Sequence, residues 1–256
     1  MTFVTNIFKK YLLKIWFDSA EQNHAILISH IEPVKYAKVL DIGCDNGKLV
    51  IERLKNITNP EIYGIDLRKE AVLSSRKLGI KAVLGDVEMG LPFRSSFFDV
   101  VFANQIIEHL LDVDFFINEV NRVLKPKGYL ILSTENLSSW HNIFALILGW
   151  QAFSQSLSKV KHIGNPLKLT KYENINPSGM HIKIFTLKGL KELFEIHGFE
   201  IQNTFGAGYY PFPLSIAQLL SIIDSTHSAF IGIKARKIAI SKKVLKRKLL
   251  CGKNKK

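Results

Sequence analysis

One stretch of the sequence, residues 39–67, places the strongest limit on the fold. An apolar run from Lys38 to Ile42 leads into a turn that contains glycines, and a helical pattern follows from Lys48 to Lys55. A second apolar run begins at Ile62 and ends on the carboxylate of Asp66. The order strand, turn, helix, strand predicts a βαβ unit and therefore a parallel sheet.

The turn and the second strand indicate a nucleoside ligand. Gly43 and Gly47 have no Cβ and can take positive φ, so a ligand can lie against bare backbone. The first N–H groups of the following helix add donors and partial positive charge. Asp66 stands where a carboxylate in a doubly wound sheet binds the ribose hydroxyls.

The spacing of the glycines disfavours a dinucleotide. A dinucleotide fold uses three glycines as G-x-G-x-x-G, whereas three residues separate Gly43 from Gly47 here. Asp41 and Asp45 also place two carboxylates beside the site. They would repel a pyrophosphate but suit a ligand that carries an ammonium group and a positive charge.

The turn resembles the first motif of class I S-adenosylmethionine-dependent methyltransferases. It reads Asp41-Ile42-Gly43-Cys44-Asp45-Asn46-Gly47, where the family usually has D-x-G-x-G-x-G, so Asp45 replaces the middle glycine. Residues 91–101 and 123–130 are typical of the broad type 11 group of these enzymes. The resemblance implies an α/β fold, a doubly wound sheet of seven strands in the order 3-2-1-4-5-7-6 with strand 7 antiparallel, over residues 36–236.

The resemblance also implies S-adenosylmethionine as methyl donor and a set of binding residues. The turn would hold the methionine end, Asp66 the ribose, and Asp86 with Val87 the adenine. The full expected cofactor-binding set is Asp41, Gly43, Cys44, Gly47, Asp66, Leu67, Asp86, Val87 and Asn104.

Glu108 and His109 follow the fourth predicted strand, at the edge where open α/β sheets bind ligands. Ubiquinone-pathway and small-RNA O-methyltransferases have a similar Glu-x-x-Glu-His run that supplies metal ligands, but Gln105 replaces its first acid here. Glu108, His109 and His181 are therefore candidate ligands of a divalent ion. Without a metal, His109 and His181 would act as catalytic bases, and this is the interpretation that we expect. Alternatively, Glu108 and His109 have only a structural role at the start of a helix.

Two classes of methyltransferase are disfavoured by what the sequence lacks. Enzymes that methylate exocyclic nucleobase amines usually carry an Asn/Asp-Pro-Pro-aromatic run, and residues 104–107 read Asn-Gln-Ile-Ile instead. Methylation at carbon 5 of a pyrimidine needs a cysteine nucleophile, and neither Cys44 nor Cys251 is suitably placed.

Two segments are predicted to extend the domain. Residues 1–35 are predicted to be a helical extension, in which residues 1–31 have the apolar spacing of two helices, with Asp18 or Ser19 capping the second. They would pack on the domain, cover the cofactor or contact a membrane surface. Residues 134–180 interrupt the sheet pattern and are predicted to form a lid and substrate pocket. Candidate pocket residues in this insert are Asn136, Trp140 and His141.

The excess positive charge belongs to the end of the chain. The formal net charge is +13, and residues 234–256 contain eleven Lys or Arg residues and no acid. The segment 237–256 is predicted to be a basic tail that is solvated, lies on an anionic membrane or contacts RNA. The two cysteines offer no disulfide framework, so we expect a cytoplasmic protein, with membrane association as the alternative.

These features together predict methyl transfer from S-adenosylmethionine to an oxygen or nitrogen of a small-molecule acceptor, without a metal. One alternative is an RNA methyltransferase that uses the basic tail. A second alternative is a module that binds the cofactor but catalyses nothing, because Asp45 and Gln105 depart from the related motifs.

Overall fold

The computed structural model describes residues 2–33, 35–55, 57–161, 163–167 and 180–238, with side chains from residue 10 onward. Among these residues the strands are β1 (Lys38–Ile42), β2 (Glu61–Asp66), β3 (Lys81–Leu84), β4 (Phe98–Asn104), β5 (Leu124–Glu135), β6 (Phe199–Ala207) and β7 (Phe230–Lys237). The helices are α1 (Thr2–Ser29), α2 (Lys48–Leu54), α3 (Lys69–Lys77), α4 (Val113–Val123), α5 (Trp140–Ile147), α6 (Leu187–Ile196) and α7 (Leu214–Ile223).

The sheet has the topology that the sequence predicts. Its strand order is β3-β2-β1-β4-β5-β7-β6, and β7 is antiparallel to both of its neighbours. The other pairs are parallel, with Ile42 of β1 opposite Ile65 of β2 and Ala103 of β4. The strand order reverses between β1 and β4, and open α/β sheets bind ligands outside such a reversal point.

Helices cover the sheet on both faces. On one face, α4 buries Phe116, Val120 and Val123 completely, because these apolar residues recur at helical spacing. On the other face, Val50 of α2 and Leu27 of α1 are equally buried. Burial of both faces explains why the central strands are almost continuously apolar.

The N-terminal extension is one helix, so the expectation of two helices is wrong. Asp18 and Ser19 lie inside α1 and cap nothing. The Ser19 hydroxyl donates to the Ile15 carbonyl one turn earlier, and Lys14 donates to the Asp18 carboxylate. Polar side chains that bond within the helix in this way do not interrupt it.

The helix α1 lies against the ends of the central strands. Its Asn23 amide donates to the side chains of Asn104 at the end of β4 and Ser133 in β5. The side-chain Oε1 atom of Gln22 accepts from the backbone N–H of Gly208, just beyond β6. The N-terminal helix therefore borders the edge at which a ligand is expected.

The insert after β5 folds around a buried asparagine. The Asn142 amide of α5 donates to the Asn136 carbonyl and to the Ser154 hydroxyl. Residues 168–179 of the insert lie outside the described residues, as does all of the predicted basic tail beyond Ile238. Within the described parts of the chain, every helix is too short or too polar to span a bilayer.

Candidate cofactor and acceptor site

The turn between β1 and α2 requires glycine at two positions. Gly43 has a φ of +72° and Gly47 a φ of +80°. A Cβ on Gly43 would lie 2.3 Å from Ile106 Cδ1, and one on Gly47 would lie 2.4 Å from Ile80 Cδ1. Asp45 has a φ of +45°, in the left-handed region that aspartate tolerates better than most residues. The turn therefore keeps its left-handed path with aspartate at the middle position.

The carboxylate of Asp66 joins the tip of β2 to this turn. One oxygen accepts from the Asp45 backbone N–H at 2.9 Å, and the other accepts from the Arg68 N–H at 2.9 Å. The Arg68 guanidinium also pairs with the Asp45 carboxylate at 2.6 Å. A carboxylate oxygen has a second lone pair, so Asp66 retains acceptors for a ribose hydroxyl. Leu67 beside it is 58% exposed.

The side chains of Asp41 and Cys44 lie behind the turn. Asp41 is buried and pairs with Arg53 of α2 at 3.2 Å. Burial raises the pKa of Asp41 to about 6, although Arg53 opposes the shift. Burial also raises the pKa of Cys44 to about 11, so this cysteine remains a thiol at 3.7 Å from the Ser75 hydroxyl. In this structure both side chains contact the protein scaffold.

Asp86, Val87 and Asn104 complete the predicted cofactor set at the same edge. Asp86 is exposed after β3 and caps a short helical turn by accepting from the Glu88 N–H at 2.9 Å. Val87 packs against the core beneath it. Asn104 ends β4, and its side-chain oxygen accepts from the Ser133 hydroxyl at 2.8 Å. The structure thus brings the predicted residues together at the ends of β1 to β4.

Glu108, His109 and His181 meet in space although the insert separates them in sequence. One ligand atom from each residue lies within 4.8 Å of the other two. The His109 Nδ1 atom is 2.8 Å from the Met180 carbonyl, and the His181 Nδ1 atom is 2.9 Å from the Ser154 carbonyl. These contacts orient the two rings, whose centroids are 4.9 Å apart.

Burial holds Glu108 and His109 in their neutral forms. Glu108 is fully buried, and burial raises its pKa to about 8. Its Oε2 atom accepts from the Thr134 hydroxyl, while Oε1 has no hydrogen-bond partner among the described residues. Burial also lowers the pKa of His109, and the nearby His181 lowers it further. A neutral imidazole is the form that can accept a proton from a substrate.

Known proteins resemble this chain in part of its sequence and in its fold. Residues 40–132 match a family model described as a methyltransferase domain. The ubiquinone biosynthesis O-methyltransferase of Pelagibacter ubique is 32% identical over 122 residues, which is 45% of this chain and 49% of that protein. The enzyme of the same name from Bradyrhizobium diazoefficiens is 30% identical over 145 residues, which is 53% of this chain and 55% of that protein.

The solved structures agree on the fold. An S-adenosylmethionine-dependent methyltransferase from Mesorhizobium loti superposes with a TM-score of 0.57 and 15% identity, over 83% of this chain and 96% of that chain. The chain contains a class I S-adenosylmethionine-dependent methyltransferase domain. The methyl donor of this family is S-adenosylmethionine. The chain spans about half the length of the two ubiquinone O-methyltransferases that it matches.

The methyltransferase domain has further titratable groups near Glu108 that the sequence analysis missed. Glu135 ends β5, its carboxylate accepts from the Ser154 hydroxyl at 2.8 Å, and burial raises its pKa to about 7. Burial and the charge of Glu135 also raise the pKa of Tyr210. The carboxylate at the end of β5 is a signal that could have found Glu135, whereas Tyr210 follows β6 without a motif.

The three pocket candidates in the insert have different positions. The His141 ring centroid is 4.7 Å from that of Tyr210, and burial lowers the pKa of His141 to about 4. Asn136 is fully buried and donates to the carbonyls of Thr226 and Ser228, while Trp140 donates to the Tyr209 hydroxyl. His141 thus joins the Glu135 group, and Asn136 and Trp140 tie the insert to the segment around α7.

Proposed function

We propose that the protein transfers the methyl group of S-adenosylmethionine to an oxygen or nitrogen of a small-molecule acceptor. The observation that carries the proposal is the contact between Gly43 and Ile106. The Ile106 side chain fills the space where a Cβ of Gly43 would lie, and His109 follows three residues later. The cofactor turn and the segment that bears the candidate base are therefore packed directly against each other.

The cofactor would lie along the ends of β1 to β3. The backbone from Gly43 to Gly47 would hold the methionine end, Asp66 would accept from the ribose hydroxyls, and Asp86 with Val87 would bind the adenine. Support comes from the left-handed backbone at both glycines, which sets the path of the turn, and from the exposed carboxylate of Asp86. This arrangement would direct the sulfonium methyl toward the Glu108, His109 and His181 group.

Methyl transfer would be an in-line displacement in which positioning supplies much of the rate. A lone pair on the acceptor forms the new bond to the methyl carbon while the carbon–sulfur bond breaks, which leaves a neutral thioether. A hydroxyl acceptor must also lose a proton, and neutral His109 would take it. The carbonyl of Met180 fixes the His109 ring for this role.

The same three side chains are chemically suited to a divalent ion. Glu108, His109 and His181 would supply one carboxylate and two imidazoles, and a bound ion would act as a Lewis acid on an acceptor oxygen. We propose the metal-free reaction, because Gln105 replaces the first acid of the related Glu-x-x-Glu-His run and removes one ligand from the set.

The insert at residues 134–180 would form the lid and the acceptor pocket. Support comes from its location directly after β5 and from the contact of Ser154 with Glu135. His141 and Tyr210 would line the pocket next to Glu135. Because these groups are neutral or buried, they favour an acceptor that is uncharged where it contacts them.

The test is a transfer assay with methyl-labelled S-adenosylmethionine and extract from the native host, separated into small molecules, RNA and protein. We expect label in the small-molecule fraction, and for a hydroxyl acceptor we expect His109→Asn to lower kcat at least tenfold while binding the cofactor normally. Label confined to RNA would support the RNA methyltransferase alternative. Cofactor binding without transfer to any fraction would support the inactive module.

A further inference from the structure

The helix α7 has an unusual distribution of side chains. Its buried residues are the small Ala217 and Ser221. Leu214 and Leu220 are half-buried, and its other large aliphatic residues are exposed. Leu219 is 59% exposed and Ile222 is 81% exposed, and Ile223 beside them is similarly open. Monomeric soluble proteins rarely leave large apolar side chains together on one surface without a partner. The outward face of α7 therefore requires an occupant.

The exposed apolar surface continues onto two further helices. At the end of α5, residues 144 and 146–148 are exposed large hydrophobic residues. The Trp140 ring of α5 stacks on His227 and donates to the Tyr209 hydroxyl, which joins α5 to the segments on either side of α7. On α1, Tyr11 donates to the carbonyl of Pro211, just before α7, and Phe17 is exposed. We call these outward faces of α1, α5 and α7 the apolar platform.

Unpaired lysines outnumber unpaired acids on the described segments that carry the apolar platform. Lys10, Lys159 and Lys161 are exposed. Asp18 and Asp224 are engaged in pairs with Lys14 and His227, which leaves Glu21 as the exposed acid of α1. A second copy of the chain would bring like charges together on this surface, whereas an anionic surface would complement them.

We propose that the apolar platform docks the protein onto an anionic lipid bilayer. The aliphatic and aromatic side chains enter the boundary between headgroups and acyl chains, and the lysines contact lipid phosphates. The attachment is peripheral, because none of the described helices can cross a bilayer. The inference concerns a surface distinct from the cofactor turn, so it does not depend on which acceptor is methylated.

The first test is flotation of the full-length protein with vesicles of phosphatidylcholine alone or mixed with phosphatidylglycerol. We expect binding to the anionic vesicles, and we expect the double variant Leu219→Ser with Ile222→Ser to bind at least tenfold more weakly. The matched control is Ile196→Ser, which removes an aliphatic side chain that is 67% exposed at the end of α6. This control should bind like the unchanged protein.

The basic segment beyond residue 238 is kept in every variant, so charge-driven binding through that segment survives the α7 substitutions. Equal flotation of the double variant and the unchanged protein would overturn the proposal, as would failure of the unchanged protein to bind. Conversion of a dimer into a monomer by the double variant, measured by light scattering, would also overturn it, since the occupant would then be a second copy.

A second measurement uses the unchanged protein and needs no variant to fold. Trp16 of α1 is 44% exposed and its ring contacts that of Phe17, and Trp140 lies on α5. We expect the tryptophan fluorescence of the protein to be quenched by anionic vesicles whose acyl chains are brominated near the headgroups. Brominated vesicles that lack anionic lipid should leave it unchanged. Binding to anionic vesicles without quenching would show that the platform stays in water, which contradicts the proposal.

Discussion

The substitution Gly47→Ala tests whether the cofactor turn has room for a side chain. At Gly47 an added Cβ would lie 2.4 Å from Ile80 Cδ1 and 3.2 Å from Ser75 Cα, and the second neighbour is backbone. Gly79 offers a matched control, because its φ of +83° is almost the same as the +80° of Gly47 and no atom lies within 4 Å of its added Cβ.

The two glycines separate the backbone cost from the packing cost. A left-handed alanine costs about 1–2 kcal/mol, and the lower entropy of the unfolded chain returns about 0.4–1 kcal/mol. We therefore expect Gly79→Ala to lower the free energy of unfolding by about 1 kcal/mol. Gly47→Ala adds overpacking of about 1–3 kcal/mol, so its total should be about 2–4 kcal/mol.

Urea unfolding followed by far-ultraviolet circular dichroism measures both variants, and calorimetric titration measures their affinity for S-adenosylmethionine. Gly79→Ala should bind the cofactor normally, because the added methyl group meets no atom within 4 Å, whereas Gly47→Ala should bind it more weakly. Equal losses of stability in the two variants, or normal cofactor affinity in Gly47→Ala, would refute the steric argument.

Three further outcomes are expected. The pKa of Glu108 is about 8 in the folded protein and near 4.5 in the unfolded chain. Glu108 therefore lowers the free energy of unfolding as the pH rises from 4.5 to 8, by up to ~5 kcal/mol. Urea unfolding at several pH values should show a smaller decline for Glu108→Gln. Asp45→Gly should change the free energy of unfolding by less than about 1 kcal/mol in the same assay. Glycine removes the backbone strain at a φ of +45°, and this gain offsets the loss of the exposed ion pair between Asp45 and Arg68. Addition of a chelator should leave methyl transfer unchanged, and loss of activity that a divalent ion restores would contradict the metal-free reaction.

Much of the fold was predictable from the sequence because its signals are local. The glycine turn, the apolar strands and the carboxylate of Asp66 each follow from residues that are close in sequence, and the resemblance supplied the strand order. The prediction of two helices in the N-terminal extension was wrong. The side chains of Asp18 and Ser19 form hydrogen bonds within α1, so these residues do not end a helix.

The contacts of the candidate site were harder to predict. Alternation along β1 places the Asp41 side chain on the same face of the sheet as Val39, and this could be predicted. Its pairing with Arg53 could not, because it depends on how α2 packs on that face. The approach of His141 to Tyr210 joins residues from the insert and from the end of β6. Contacts between such distant segments leave no periodic pattern in the sequence.

Calorimetric titration of the purified protein with S-adenosylmethionine, and separately with its demethylated product, tests the central claim most directly. The expected result is saturable binding of both compounds at one site per chain, weakened at least tenfold by Asp66→Ala in a variant that still folds. Absence of binding by either compound, or unchanged affinity in Asp66→Ala, would contradict the proposed site at the ends of β1 and β2.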